Sequence, residues 1–509
     1  MTAATPDRRE PIRSPAWFAA AVAAVFAVAV AVRLGSLLRG GGLYGLGNYD
    51  DGVHFAAAVG LINGLLPYRD FLLLHPPGVV LALAPFAWLS WAIGEPDAMA
   101  VARLSWILLG GVNAALCALV IRPIGRLAAV FAGLVYALML GAVYVEHTTL
   151  LEPPATTLLL LALVITRLLG SDSGITTRHY VIAGLLLGLS PVLKIWGVLA
   201  VLVVVGGIVG RRGLRSGLMT LAAAVGSCAA VCLPFFLAAP DQMWRMVVVA
   251  QLGRRRAPGS LVRRLDDITG ISRWSTGVPQ WTALLVVVLA LLLVAFVICL
   301  IRAELRLVAA LLVSHLAIVL STPMWFLHYA GLSAAPIALT LGGALGAVMT
   351  WTRSIRWLPG VLATAAILAT LLLAYPLTIL SLGNKAFPGK TLAAAIADEP
   401  GCVTTDMPIT LIQMDLLQRD IDRGCRFVVD LGGYSYYEVD SDYHEDSRRK
   451  NKDWQQIALA YYRSGNAAIV VRFDTDSGFS KKTARTIANW PVIAASGQYQ
   501  IHRPEPATN

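Results

Sequence analysis

The sequence runs to 509 residues, 57% of them hydrophobic and 14% charged, with a mean hydropathy of +0.68. A soluble globular chain carries about 25% charged residues, so this composition excludes an ordinary water-soluble enzyme and requires many membrane spans. The net charge of +11 has the same origin, because short cytoplasmic loops are rich in Lys and Arg, and no basic stretch is interleaved with aromatics as a nucleic-acid partner would need.

The first apolar run, 16–38, follows Arg8, Arg9 and Arg13, lacks a small-residue cleavage site and is long enough to span. It is expected as an uncleaved helix with a cytoplasmic N-terminus. Further spans are expected over 101–121, 126–145, 150–168, 180–193, 195–210, 217–238, 280–301, 306–320, 330–350 and 357–380. The apolar segment 71–94 is broken by Pro76, Pro77 and Pro85, and is expected as a re-entrant or surface-lying helix on the outer side. With eleven spans, the connectors carrying Arg122 and Arg126, Arg167 and Arg178, Arg211 to Arg215, Arg302 and Arg306, and Arg353 and Arg356 all fall in the cytoplasm. The expected protein is then integral to the plasma membrane, with residues 39–100, 239–279 and the tail from about 384 outside.

The first outer loop reads Tyr49-Asp50-Asp51-Gly52-Val53-His54, then Tyr68-Arg69-Asp70, then His75-Pro76-Pro77. Asp50 is a natural N-cap for a helix beginning at Asp51, which would place Asp50 and His54 on one face. Two adjacent carboxylates with a His one turn on, beside lipid, exceed what capping requires. A carboxylate near an apolar surface gains proton affinity, which suits a general base. Farther along, Glu146, His147 and Glu152 gather at the mouth of a span, where ionisable groups are functional candidates. Lys194 sits between two short apolar runs, where it could either snorkel or contact a phosphate. The outer loop 239–279 holds Arg245, Arg254, Arg255, Arg256, Arg263, Arg264 and Arg273, and His328-Tyr329 opens a late span.

The tail is polar and patterned as a small α/β domain. Strands are expected over 402–405, 426–430 and 467–473, and helices over 408–418, 451–463 and 479–489. Cys402 and Cys425 lie at the entries of two of these strands, so in an oxidising outer compartment they are expected to pair. Cys117, Cys228, Cys232 and Cys299 fall inside apolar spans.

The order of these pieces resembles the GT-C superfamily of membrane glycosyltransferases, which use polyprenyl-phosphate sugars as donors. The resemblance covers roughly residues 15–380 and rests on Asp50-Asp51, His75-Pro76-Pro77, Ala102-Arg103-Leu104, Glu152-Pro153, Lys194 and His328-Tyr329. It implies a transmembrane catalytic module over 1–383 and an extracytoplasmic domain over 384–509, with Asp50 or Asp51 as the catalytic base. The family commonly writes the pair Asp-Glu with a Tyr three residues after the Glu; here it is Asp-Asp with His54 at the Tyr position, and which Asp is the base stays open. Donor and acceptor would meet His54, Tyr68, Arg69, His75, Glu146, His147, Glu152, Lys194, Arg255, His328 and Tyr329. No cofactor is specified; were a divalent cation (Mg2+, Mn2+ or Ca2+) used, Asp50 and Asp51 would hold it.

The Ala, Arg and Gly content looks like actinobacterial cell-envelope enzymes that transfer arabinose or mannose from decaprenyl phosphate. The expected activity is inverting transfer to an envelope glycan or glycolipid. Two other readings compete. A lipid-sugar flippase would carry charges mid-span and paired broken helices. A non-catalytic assembly protein would use Tyr434, Tyr436, Tyr437, Tyr461 and Tyr462 of the tail to stack on sugars.

Overall fold

A computed structural model describes residues 15–170, 174–254, 260–271, 278–378, 380–437, 448–471 and 478–506. Arg255, Arg256 and Arg273 lie outside them. The membrane part begins with α1 (Pro15–Leu38), followed by α2 (Tyr49–Ile62), α3 (Gly78–Ile93), α4 (Glu95–Ile121), α5 (Arg126–Leu138), α6 (Leu140–Glu146), α7 (Glu152–Thr166), α8 (Thr177–Leu193), α9 (Gly197–Arg212) and α10 (Leu214–Ala238). Short helices α11 (Pro240–Trp244), α12 (Ala250–Leu252) and α13 (Leu261–Thr269) occupy the next loop, before α14 (Val278–Ile301), α15 (Arg306–Ser321), α16 (Tyr329–Trp351) and α17 (Leu358–Leu373).

Each expected span corresponds to a helix, but not all are full length. Among the described residues six helices are long and apolar enough to cross a membrane, or seven when α5 and α6, bent by 60°, count as one. Helices α7, α8, α9 and α17 have 15 to 17 residues, about 22–26 Å of rise against a hydrocarbon core of about 30 Å.

The basic connectors meet at one end of the bundle. Arg122 lies over the Phe18 ring, Arg211 donates to the carbonyl of Gly170, and Gly170 abuts Pro123. At the other end of α1, Asn384 donates to the carbonyl of Leu37 at 3.0 Å, so the tail docks opposite the basic loops. Both ends of α3 lie on this tail side: Gly78 packs on the Val192 backbone and Gly94 on Asp415. Helix α3 therefore runs along the surface rather than through the bundle, with Trp88 and Trp91 exposed as interface-seeking side chains are.

The tail contains α18 (Gly389–Ala395), β1 (Val403–Thr405), α19 (Pro408–Gln413), α20 (Leu417–Asp422), α21 (Tyr434–Tyr437), α22 (Lys452–Arg463), β2 (Ala467–Ile469), α23 (Lys481–Ala488), β3 (Val492–Ser496) and β4 (Tyr499–His502). Its sheet has the order β1-β2-β4-β3, parallel between β1 and β2 and antiparallel elsewhere. Two expectations are corrected. The helix expected over 408–418 breaks into α19 and α20 before Asp415, whose φ is +57°. Residues 426–430 form no strand, because Phe427 turns to meet Phe71 (5.2 Å between ring centres) and Val429 enters the shared core. The β3–β4 hairpin was not expected at all.

Cys402 and Cys425 form a disulfide, Cα–Cα 5.7 Å; closing a loop of this size contributes about 3 kcal/mol. The tail's core is continuous with the outer loop: Phe55, Val79 and Leu83 share one buried cluster with Ile409, Ile412 and Val429. Gly52 permits this contact, since a Cβ there would stand 2.6 Å from the Ile409 nitrogen. Polar contacts fix the register. The Glu95 carboxylate accepts from the nitrogens of Leu417 (3.0 Å) and Gln418 (2.6 Å), and Asp415 accepts from the Glu95 nitrogen (2.8 Å).

Candidate active site

Helix α2 starts two residues earlier than expected. Asn48 is its N-cap, accepting from the Asp50 nitrogen at 3.2 Å, so Asp50 and Asp51 both lie in the first turn, where the positive helix end favours them. A helical step of about 100° then sends adjacent residues in different directions. Asp51 points into the bundle and is fully buried. It accepts from Arg103 Nε (3.0 Å) and Nη2 (2.5 Å), and from the Thr149 nitrogen (2.8 Å) and hydroxyl (2.5 Å). Gly47 (φ +59°) makes room for this pair, because a Cβ there would lie 2.5 Å from Asp51 and 2.6 Å from Arg103.

Asp50 instead faces a cavity of about 250 Å³ between the membrane part and the tail. On the membrane side the walls include His75, Tyr144, Arg254, His328 and Tyr329; on the tail side they include Asp430, Gly432, Tyr436 and Arg448. The Asp50 side chain keeps 30% exposure, and the His328 imidazole Nδ1 lies 3.7 Å from its carboxylate. Burial pushes the Asp50 carboxyl above the usual carboxylate range; His54 and Lys194 oppose that rise, and Asp430 and Glu152 add to it. Burial, together with the cations Lys194 and Arg254 and the neighbouring His54, holds His75 and His328 well below the usual imidazole range. Both rings are therefore neutral at neutral pH.

Arg254 donates to the Tyr329 hydroxyl at 3.2 Å and lies 5.1 Å over the Tyr436 ring. Its buried Nε has no hydrogen-bond partner among the described residues. Arg448 lies 5.9 Å from the Tyr436 ring centre and donates to the Gly432 carbonyl at 3.2 Å. The wall is thus rich in guanidinium.

The remaining expected residues divide by distance from this cavity. His54 is buried behind it, donating through Nδ1 to the Thr149 carbonyl (3.1 Å) and packing edge-on to His75 (5.8 Å). Lys194 lies behind Tyr329, ion-paired to Glu152 and held 4.6 Å from the Trp196 ring and 4.5 Å from Tyr329. Its place is thus a support for the wall rather than an open phosphate contact. Glu146 is not at the cavity: inside the bundle it binds Arg33 (2.6 Å), Asn113 (2.8 Å) and Tyr136 (2.6 Å). His147 is buried against the carbonyl of Val143 (3.2 Å). Tyr68 is also buried, and its hydroxyl donates to the His75 carbonyl at 2.7 Å, which makes it a brace for that loop. Arg69 sits at the surface on Asp70 (2.8 Å).

Arg254, Asp430, Tyr144 and Arg448 line the cavity without having been expected there. Arg254 was one of seven equivalent arginines in its loop, and nothing in the local sequence separates it from Arg255. Arg33 and Arg103 could have been found, since an Arg inside a span demands a buried acid.

The overall fold is shared with solved structures. ArnT from Cupriavidus metallidurans in the apo state superposes with a TM-score of 0.61 at 14% identity, over 96% of this chain and 98% of that one. The same enzyme bound to undecaprenyl phosphate gives 0.59 at 15%, over 95% and 98%. The oligosaccharyltransferase AglB from Archaeoglobus fulgidus, in complex with an inhibitory peptide and a dolichol-phosphate, gives 0.55 at 12%, over 89% and 69%. The fold is GT-C. No protein-family profile matches the sequence, and no curated protein matches it either. On this GT-C fold, Asp50 and Asp51 do not form a shared ligand pair for a cation, because Asp51 is enclosed by Arg103 and Thr149. Among the described residues no three His, Cys, Asp or Glu side chains gather as a metal site.

Proposed function

We propose that this protein is an inverting glycosyltransferase that moves a sugar from a polyprenyl-phosphate donor to a hydroxyl of a cell-envelope glycan or glycolipid. The observation that carries the reading is the divergence of the two aspartates: Asp51 is fully engaged in the bundle, while Asp50 faces a cavity whose walls hold Arg254 and Arg448. The GT-C fold, shared with an enzyme bound to undecaprenyl phosphate and one bound to dolichol-phosphate, supports a lipid-phosphate donor.

In this reading Asp50 takes the proton from the acceptor hydroxyl as that oxygen bonds to the anomeric carbon. The bond from that carbon to the phosphate oxygen breaks, and the lipid phosphate leaves with the electron pair. An anionic leaving group needs cations rather than an acid. Arg254 supplies one, with a buried Nε that has no partner among the described residues, and the Lys194–Glu152 pair holds Tyr329 beneath it. A raised carboxyl affinity suits Asp50 to accept that proton.

The cavity end is assigned to the extracytoplasmic face, since the Arg-rich connectors cluster at the opposite end. For the sugar, the sequence resemblance favours arabinofuranose or mannose. A transporter would show paired broken helices in two halves; the described residues show one bent pair, α5–α6. The test is sugar transfer by purified Asp50→Asn and Asp51→Asn proteins, with decaprenyl-phosphate arabinose and decaprenyl-phosphate mannose as donors. Transfer at the wild-type rate by Asp50→Asn would remove the base.

A further inference from the structure

The tail side of the cavity carries a second carboxylate that the proposed reaction does not use. Asp430 Oδ1 accepts from the Tyr49 hydroxyl at 2.9 Å and from the Gly433 nitrogen at 2.8 Å. These two bonds fix the side chain while leaving Oδ2 without a protein partner among the described residues. Tyr49 directly precedes Asp50, so the hydrogen bond that holds Asp430 also ties it to the first turn of α2. Gly432 and Gly433 follow Asp430 and put no side chain between it and the cavity.

The neighbouring aromatic does not offer the usual platform for a sugar. Tyr436 has Arg254 and Arg448 near its ring, 5.1 and 5.9 Å from the centre, and its hydroxyl reaches Met324 Sδ at 3.2 Å. Tyr437 is paired with Arg245 at 5.5 Å, and Tyr461 and Tyr462 are buried in the tail's own core. Recognition on this wall is polar. A fixed carboxylate oxygen with an open lone pair is matched by the hydroxyls of a polyol, and hydrogen bonds to a charged acceptor are the strong ones.

We propose that Asp430 Oδ2 binds the acceptor sugar through its hydroxyls, so that the tail builds the acceptor subsite and presents the reacting oxygen to Asp50 across the cavity. This rests on the glycosyltransferase reading and deepens it by assigning the two halves of the reaction to two parts of the chain. The membrane side, with Arg254, takes the lipid phosphate; the tail side takes the sugar that receives.

Asp430→Asn tests the assignment closely. The amide can keep its oxygen toward Tyr49 and Gly433, while the Oδ2 position becomes a donor. The full-length protein is titrated with octyl α-mannopyranoside and octyl α-arabinofuranoside, and donor KM is measured separately with a decaprenyl-phosphate sugar. Expected is a loss of glycoside affinity of about tenfold to a hundredfold, with donor KM unchanged. Tyr49→Phe removes the docking bond but not the carboxylate, and should keep glycoside affinity within about threefold of wild type.

The proposal is overturned if neither glycoside binds the wild-type protein at millimolar concentration, if Asp430→Asn binds as wild type does, or if Tyr49→Phe reproduces its defect. Failure here is distinct from failure of the base. An inactive Asp50→Asn beside a normal Asp430→Asn would remove only the subsite. An active Asp50→Asn would remove only the base, because glycoside binding is read without turnover.

Discussion

The interior of the bundle and the rim of the cavity treat charge in opposite ways. Inside, each acid has a cation: Glu146 has Arg33, Asp51 has Arg103 and Glu152 has Lys194. At the rim, among the described residues, Asp50 has a neutral His328 at 3.7 Å, and Arg254 leaves its Nε unpartnered. A charge removed from water is costly unless matched and hydrogen-bonded, so the matched interior reads as structure. The unmatched rim reads as a place where a substrate supplies the partners. The contrast is sharpest between Asp50 and Asp51, which are adjacent in sequence and belong to different regions.

The largest effect should come from the rim. Asp50→Asn keeps the size of the side chain and removes its basicity, so kcat/KM for sugar transfer should fall about 10²–10⁴-fold with the melting temperature unchanged. A variant that melts early and regains rate on cooling would make Asp50 structural and erase the contrast.

Asp51→Asn should do the reverse. It leaves Arg103 buried without its counter-ion, which costs about 3–5 kcal/mol, so thermal unfolding in detergent should move down markedly. The double variant Asp51→Leu with Arg103→Met should be less destabilised than either single change, because no lone charge is then buried. If Asp51→Asn unfolds as wild type does but loses transfer, the assignment of the two aspartates is inverted.

A smaller effect tests the tail. Replacing Cys402 and Cys425 by Ser should lower stability by about 3 kcal/mol, read as a lower melting temperature that reducing agent does not lower further. Transfer measured well below the new melting point should persist, since Glu95, Asp415 and the shared core still dock the tail. Loss of transfer without loss of stability would give the disulfide a place at the rim.

The sequence made the bundle legible because apolar runs and arginine-rich connectors follow from bilayer thickness and charge sidedness, which act locally along the chain. It also marked Asp50-Asp51 as a unit. It could not say which aspartate faced the cavity, because that depends on where α2 starts, and Asn48 and Asp50 are equally good N-cap residue types two positions apart. Partners far apart in sequence were equally hidden: Asp430 meets Tyr49 across 381 residues. Residues 426–430 alternate like a strand yet join no sheet among the described residues, since Phe427 packs on Phe71 of the outer loop.

The finest test moves the rim's charges one at a time and follows pH. Asp50 must be ionised to accept a proton, and burial raises its affinity. Activity should therefore fall as pH drops through a value above the ordinary carboxylate range of about 4. Asp430 raises Asp50 and Lys194 lowers it, so the two should act in opposite directions. Asp430→Asn should carry the acid limb of kcat to lower pH, and Lys194→Met should carry it higher, with the bared Glu152 adding to that rise. The shifts will be small, but their signs are fixed by the charges that surround one carboxylate. A limb that moves the same way in both variants, or in neither, belongs to a group other than Asp50.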